Sequence, residues 1–152
     1  MAATTDIPRF VSTPTGFLLV LRQGDDAFAA LERLTSDHAI PAASFMGFGF
    51  AGEVTFGFFD AESRQYQPRT FHDVELASMT GSLAWKDGRP SIHAHGVAGR
   101  KDFAAVGGHL LGLKVGTGSL EITVIVHDQR LERATDAAVG ANVLQLPEHR
   151  PG

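Results

Sequence analysis

Three histidines in one short stretch of the chain, His93, His95 and His109, are the residues whose types and spacing best suit chemistry. In an extended strand the side chains at positions i and i+2 project from the same face, so His93 and His95 lie side by side. Thirteen residues separate His95 from His109, enough for a turn and a return of the chain to the same place. The paired glycines Gly107 and Gly108 let the backbone come close to something bulky or charged.

Three imidazoles placed in this way can form three corners of a tetrahedral metal site, with water or a substrate as the fourth ligand. The spacing therefore predicts a divalent-metal site built from one strand and a returning loop, with zinc as the preferred ion. The alternative is that these histidines are simply solvated on an exposed strand face, one of them donating to a backbone carbonyl. The chain has no cysteine, so any metal site is open or uses a carboxylate.

Two carboxylates, Glu121 and Glu75, are candidates for an additional ligand or a general base. Glu121 lies in a predicted strand over residues 120–126, where alternate residues from Leu120 onward form one apolar face. Glu121 then shares the opposite face with Thr123. A glutamate that enters a strand is more often a surface charge than a ligand, so the three histidines rank above it.

Composition bounds the class of protein. The chain has 152 residues, of which 43% are hydrophobic, and this is typical of one globular domain with a buried core. A formal net charge of -4 gives no overall attraction to polyphosphate, which disfavours nonspecific nucleic-acid binding. The first residues do not read as a signal peptide, and no apolar run reaches the length of a membrane span. We therefore expect a cytoplasmic protein.

The hydrophobic pattern predicts an α+β fold with a mainly antiparallel sheet, one main helix and short helical turns. A helix is expected over residues 26–37, since Phe28, Leu31 and Leu34 recur at helical spacing. Asp87-Gly88 predicts a type I′ hairpin turn between two strands, because this dipeptide accepts positive φ angles. Gly81 is expected to form a bulge or bend, and residues 106–113 a short turn interrupted by glycines.

These elements predict a single domain over residues 16–147. Residues 1–15 are expected to form a flexible N-terminal arm, and residues 148–152 a C-terminal tail. The segment Gly47–Gly52 has the spacing of a dinucleotide-binding glycine motif, but the residues after it alternate like a strand and do not begin a helix. We therefore reject nucleotide binding at this segment.

The histidine motif and its surroundings resemble the PPC domain, whose name abbreviates "plants and prokaryotes conserved". The resemblance covers nearly the whole of the predicted fold, from about Phe17 to Leu146. It rests on His-x-His and Gly-Gly-His with a downstream Glu, on the segment Glu75–Ser82, and on Arg22 followed by Gly24-Asp25-Asp26.

The resemblance implies an α+β domain that assembles as a homotrimer, with metal at these histidines in some prokaryotic members. Plant members carry this domain behind AT-hooks in nuclear DNA-binding proteins, and stand-alone prokaryotic members are named for DNA binding. This chain has no AT-hook. The prediction is a homotrimeric binding or regulatory module, DNA-associated by resemblance, with a three-histidine metal site.

Two other functions stay open. A three-histidine zinc site with an open position can generate a nucleophilic hydroxide, so a metal-dependent, hydrolase-like enzyme acting on a small molecule is the alternative. The second is a protein–protein scaffold whose histidines are merely polar.

Overall fold

Long antiparallel strands dominate the computed structural model, which describes residues 8–148. Val, Ile, Phe and Thr are frequent in these strands, and their polar and apolar residues alternate as half-buried strands require. One helix interrupts the strands. In chain order the elements are β1 (Phe10–Thr13), β2 (Gly16–Arg22), α1 (Ala27–Asp37), β3 (Ala42–Asp60), β4 (Gln65–Lys86), β5 (Arg89–Gly99), β6 (Ala105–His127), β7 (Glu132–Thr135) and β8 (Asn142–Gln145). The predicted fold class, α+β with a mainly antiparallel sheet, is confirmed.

The strands form one eight-stranded sheet in the order β1-β2-β6-β3-β4-β7-β8. Strand β5 lies off this path and pairs with both β4 and β6. Since β3 also pairs with β4 and β6, the pairings of β3, β4, β5 and β6 close on themselves. This closure brings β5 and β6 into direct contact, and the histidines lie on these two strands.

The core lies between the sheet and helix α1, which contacts β5 and β6. Asp26 caps the helix, because its side chain accepts a hydrogen bond from the Ala29 backbone N–H at 2.9 Å. Leu31 and Leu34 are buried on the helix face that meets the sheet. The helix predicted over residues 26–37 is thereby confirmed. In the described chain no helix has the length and apolar character needed to cross a bilayer.

The predicted hairpin is also confirmed. Asp87 and Gly88 have φ angles of 51° and 75°, as a type I′ turn demands, and Lys86 pairs with Arg89 across them. The turn fixes the register of β4 against β5, and so decides which face of the sheet His93 and His95 occupy.

The expectations of a turn over residues 106–113, of further short helical turns and of a bulge at Gly81 are wrong. Residues 106–113 form part of the continuous strand β6, not a turn with helical character, and α1 is the sole helix of the described residues. Strand β4 runs through Gly81, and its register shift against β5 falls between Leu76 and Ser78 instead. Strand β3 likewise runs through the glycine-rich segment 47–52 without a helix, which agrees with the rejection of nucleotide binding.

The N-terminal arm expected over residues 1–15 is ordered over part of its length. Strand β1 pairs with β2, and the Val20 N–H donates to the Arg9 carbonyl at 2.8 Å. Phe10 also packs edge-on against His38, with ring centroids 5.2 Å apart. These contacts hold residues 9–13 on the domain. Residues 1–7 of the arm and 149–152 of the predicted tail lie outside the described residues.

Candidate metal centre

Strands β5 and β6 position the three histidines. His93 and His95 alternate with the buried Ala94 on β5, so both imidazoles project from the same outward face. His109 on β6 pairs directly with His95 across the two strands. The third histidine therefore comes from a paired strand, not from the returning loop that the sequence predicted.

The close approach of β5 and β6 depends on glycine. A side chain at Gly107 would collide with the carbonyl oxygen of Gly96 and with the backbone of Val97. The sequence predicted that the paired glycines admit something bulky or charged, and what they admit is the neighbouring strand. Gly107 thus allows β6 to pair closely with β5, where His109 lies opposite His95. At Gly108 a Cβ would instead meet the Gly57 carbonyl oxygen of β3 at 3.3 Å.

The three imidazole rings form a nearly equilateral triangle. The ring centroids are separated by 5.2 Å for His93 and His95, 5.2 Å for His93 and His109, and 5.3 Å for His95 and His109. Each residue offers one ligand atom, and these atoms lie within 4.8 Å of one another. The sequence prediction that the three histidines are brought together is confirmed by this geometry.

The ring positions fit a tetrahedral metal ion. With zinc–nitrogen bonds of about 2.1 Å and ~1.1 Å from nitrogen to ring centre, imidazoles at tetrahedral angles have centres roughly 5.2 Å apart. The observed triangle has these dimensions. The spacing of the three rings is therefore the spacing that a tetrahedral ion bound to all three would require.

Tyr66, the single tyrosine of the chain, covers one face of the site. Its ring stacks on His109 with the centroids 4.3 Å apart and the planes 19° apart. The Nδ1 atom of His109 is buried and has no hydrogen-bond partner among the described residues. A buried polar atom without a partner is costly, and a metal ion bonded to this nitrogen would satisfy it.

The surroundings of His93 and His109 favour neutral imidazoles, the form that binds metal. Burial, together with the neighbouring His93 and His95, lowers the pKa of His109 to about 4. Burial also lowers the pKa of His93, helped by the charges of Arg133 and His95. At neutral pH the lone pairs of His93 and His109 are therefore available for a cation.

The structure does not bring the two candidate carboxylates to the histidines. Within the described chain, the group of ligand atoms close to one another contains the three histidines alone. Glu121 lies on β6 twelve residues beyond His109, about 40 Å along an extended strand. Glu121 and Glu75 instead line a separate cleft of about 470 Å³, together with Phe48 and Phe50.

A cavity of about 410 Å³ opens beside the cluster, lined by His93 and His109. Tyr66 and Arg133 also line it, and sequence reasoning singled out neither residue. Neither residue belongs to a motif with the histidines, because Tyr66 lies at the start of β4 and Arg133 lies on β7. Only the paired strands bring them to the histidines.

A comparison with protein families identifies the family of this chain. The sequence profile of the Plants and Prokaryotes Conserved (PCC) domain, which is the PPC family that the motifs resemble, matches residues 9–127. The chain therefore belongs to this family. No curated protein sequence matches the chain.

Solved structures of similar proteins share the fold. A Ralstonia eutropha JMP134 protein, named for a proposed DNA-binding role, is 56% identical with a TM-score of 0.89, over 91% of this chain and 96% of that chain. A protein from Archaeoglobus fulgidus described as metal-containing is 26% identical with a TM-score of 0.79, and the match covers 92% of this chain and 100% of that chain. An α-acetolactate decarboxylase from Bacillus subtilis shares the fold alone, at 13% identity and a TM-score of 0.59. That match covers 84% of this chain and 59% of that chain.

Proposed function

We propose that this protein is a metal-binding module in which His93, His95 and His109 together hold one divalent transition-metal ion. The observation that carries the proposal is the triangle of three imidazole rings, whose dimensions suit a tetrahedral site. Two other observations support it: the buried Nδ1 of His109 lacks a partner in the described chain, and the similar Archaeoglobus protein is described as metal-containing.

Zinc is the ion we propose first. Neutral imidazole suits zinc, copper, iron and nickel, whereas magnesium and calcium prefer oxygen ligands. The described ligand group contains no carboxylate or thiolate. Three protein ligands leave a coordination position open, and an ion bound in this way polarises an oxygen ligand or lowers the pKa of bound water. The alternative of a metal-dependent, hydrolase-like enzyme rests on that open position.

Metal titration of protein purified without an affinity tag tests the proposal. After dialysis against EDTA, the wild type should bind one Zn²⁺ or Co²⁺ per chain, and the Co²⁺ form should show the visible absorption of a tetrahedral site. His95→Ala should weaken binding by at least about 100-fold. His72→Ala is the matched control, because His72 is exposed on β4 outside the cluster. Equal affinities of the two variants, or no binding by the wild type, would overturn the proposal.

Association with DNA is the second candidate function, favoured by the name of the Ralstonia protein at 56% identity. The net charge of -4 means that any DNA contact must come from a local basic surface. Electrophoretic mobility-shift assays at several salt concentrations test this function. The absence of a shift even at low ionic strength would remove it.

We also propose that the module is a homotrimer, as the family resemblance implies. The outward face of β3 supports self-association, because Met46, Phe48 and Phe50 are 57%, 56% and 42% exposed. Ile125 on the adjacent β6 extends this apolar surface and is 40% exposed. Clustered apolar side chains on an exposed sheet face are typical of contact surfaces between proteins. The cytoplasmic location stays a prediction.

A further inference from the structure

A buried arginine lies beside the histidine cluster and has no acidic partner among residues 8–148. Arg133 on β7 is only 5% exposed. Its Nη2 donates to the carbonyl oxygen of Ser82 at 3.1 Å and to the Ser82 hydroxyl at 2.8 Å. Its Nε is buried and makes no hydrogen bond in the described chain, and no ion pair forms between Arg133 and a described carboxylate.

An unpaired buried charge is costly, and arginine is almost never fully buried unless it is paired. Two hydrogen bonds to Ser82 satisfy only part of the guanidinium, which carries five N–H donors. These two hydrogen bonds therefore do not compensate for the burial of the charged Arg133 side chain. Its planar fork of donors matches a carboxylate in shape and charge.

The cavity beside the cluster provides the space for such a partner. Arg133, Arg64, His93 and His109 line this cavity of about 410 Å³, and Ser91 also lines it. Its described lining contains no aspartate or glutamate. The volume is within the range of small-molecule sites in proteins. The cavity is therefore electropositive and large enough for a small anion.

The wall that carries Arg133 is held in place by polar contacts. Lys86 Nζ donates to Thr135 at 3.1 Å and to Asn142 at 2.7 Å, which ties β7 and β8 to the end of β4. Arg64 donates to the Ala137 carbonyl at 3.2 Å in the loop between β7 and β8. Strands β7 and β8 lie beyond residues 9–127, the segment that the family profile matches. The wall of the cavity that carries Arg133 is thus contributed by residues outside the matched segment.

We propose that this cavity binds a small organic monocarboxylate, whose carboxylate pairs with Arg133 and whose other end faces the three histidines. One buried guanidinium matches a single negative charge, because the exposed Arg64 is screened by solvent and already donates to a backbone carbonyl. A dianion would carry a second charge for which the described lining holds no second buried partner. That the far end of the ligand meets a metal ion rests on the proposed function, but the pairing with Arg133 does not.

Calorimetric titration with lactate tests the proposal, with lactamide as the neutral molecule of the same shape. Both compounds are titrated into wild-type protein in two forms, stripped with EDTA and loaded with Zn²⁺. Lactate should bind at least about 10-fold more tightly than lactamide in both forms, because the charged partner is lost in the amide. Inorganic phosphate should compete more weakly than lactate.

Three variants assign the binding to Arg133. Arg133→Gln should weaken lactate binding at least about 10-fold. Arg130→Gln is the matched control and should leave it within about 2-fold, since Arg130 is exposed, stacks over Trp85 and pairs with Glu132. Ser91→Asp places a carboxylate in the cavity wall and should repel lactate while Arg133 and its bonds to Ser82 stay intact. This variant keeps the test valid if Arg133→Gln fails to fold.

The outcomes separate this proposal from the metal site. If Zn²⁺ fails to bind but lactate binding depends on Arg133, the metal site is overturned and the carboxylate site stands. If Zn²⁺ binds but lactate is no better than lactamide, or phosphate binds more tightly than lactate, the carboxylate site is overturned. Unchanged lactate binding by folded Ser91→Asp would overturn it as well.

Discussion

Tyr66 lies flat on His109, with the two ring centroids 4.3 Å apart. The two residues are 43 positions apart in the sequence (109 − 66) and meet because β3 pairs with both β4 and β6. The stack fixes the plane of the half-buried imidazole, while His93 and His95 are exposed. Tyr66 is therefore a positioning residue for the candidate metal ligand His109.

Tyr66→Ala is expected to weaken Zn²⁺ binding by roughly 10-fold, within the range known for residues that orient metal ligands. Tyr66→Phe keeps the stacked ring and should bind Zn²⁺ within about 2-fold of the wild type. Competition with a chromophoric chelator measures both affinities. Equal weakening in the two variants would show that the phenol hydroxyl, and not the ring, is what matters.

His95→Ala is expected to lower thermal stability mainly when metal is present. An ion that binds only the folded state stabilises it by mass action, about 2.7 kcal/mol at a free concentration 100 times the Kd. For a chain of this size that corresponds to roughly 5–10 °C in Tm. Differential scanning calorimetry in Zn²⁺ and in EDTA measures the difference in Tm between variant and wild type, which should be large only in Zn²⁺. An equal difference in Tm in the two buffers would contradict the prediction.

The local part of the site could be predicted from the sequence, and the non-local part could not. The two-residue period of a strand suffices to place His93 and His95 on one face. The Asp87-Gly88 turn and the Asp26 cap are local signals too, and the structure contains both. Each depends only on backbone angles and hydrogen bonds within a few residues.

Residues 106–113 show why the rest was missed. Glycine is depleted in strands, so a glycine-rich segment is typical of a turn. Gly107 occurs within β6 because of its contact with Gly96 on β5, and a single sequence does not reveal that contact. Arg133 and Tyr66 were overlooked for the same reason, since their roles come from pairing between distant segments.

Asp26→Ala is expected to destabilise the fold by about 1 kcal/mol, because the first turn of α1 loses the side-chain acceptor for the Ala29 N–H. The helix packs against the inner side of the sheet, whereas the histidines project outward, so metal affinity should stay within about 2-fold. Urea denaturation measures the first quantity and Zn²⁺ titration the second. A large loss of Zn²⁺ affinity would show that the helix and the metal site are coupled.

Asp25 should contribute to stability in a pH-dependent way. Burial acts to raise the pKa of its carboxyl, but the hydrogen bond and charge of Arg9 and the Arg22 N–H outweigh burial and lower it below the ordinary 3.8. A carboxyl whose folded pKa is depressed stabilises the protein above its unfolded pKa and loses that contribution as pH falls through the folded value. Wild type should therefore lose stability below about pH 4 more steeply than Asp25→Asn.

Thermal melts between pH 2.5 and 7 check this expectation. Asp37→Asn is the control, because Asp37 is an exposed carboxylate at the other end of α1. Its acid profile should follow that of the wild type. Parallel profiles for Asp25→Asn and wild type would show that the contacts of Asp25 do not favour its ionised form.

Phe48→Glu is expected to shift the protein from an oligomer toward the monomer. Phe48 lies in the middle of the apolar surface on β3, between Met46 and Phe50, and is 56% exposed. A carboxylate placed there would be buried without a partner if copies of the chain pack on this surface, at a cost of several kcal/mol per ion. Sedimentation velocity measures the change in mass.

Val139→Glu is the control and should sediment like the wild type. Val139 is also an exposed apolar residue, but it lies on the loop between β7 and β8. If Phe48→Glu keeps the mass of the wild type, the association uses another face of the molecule.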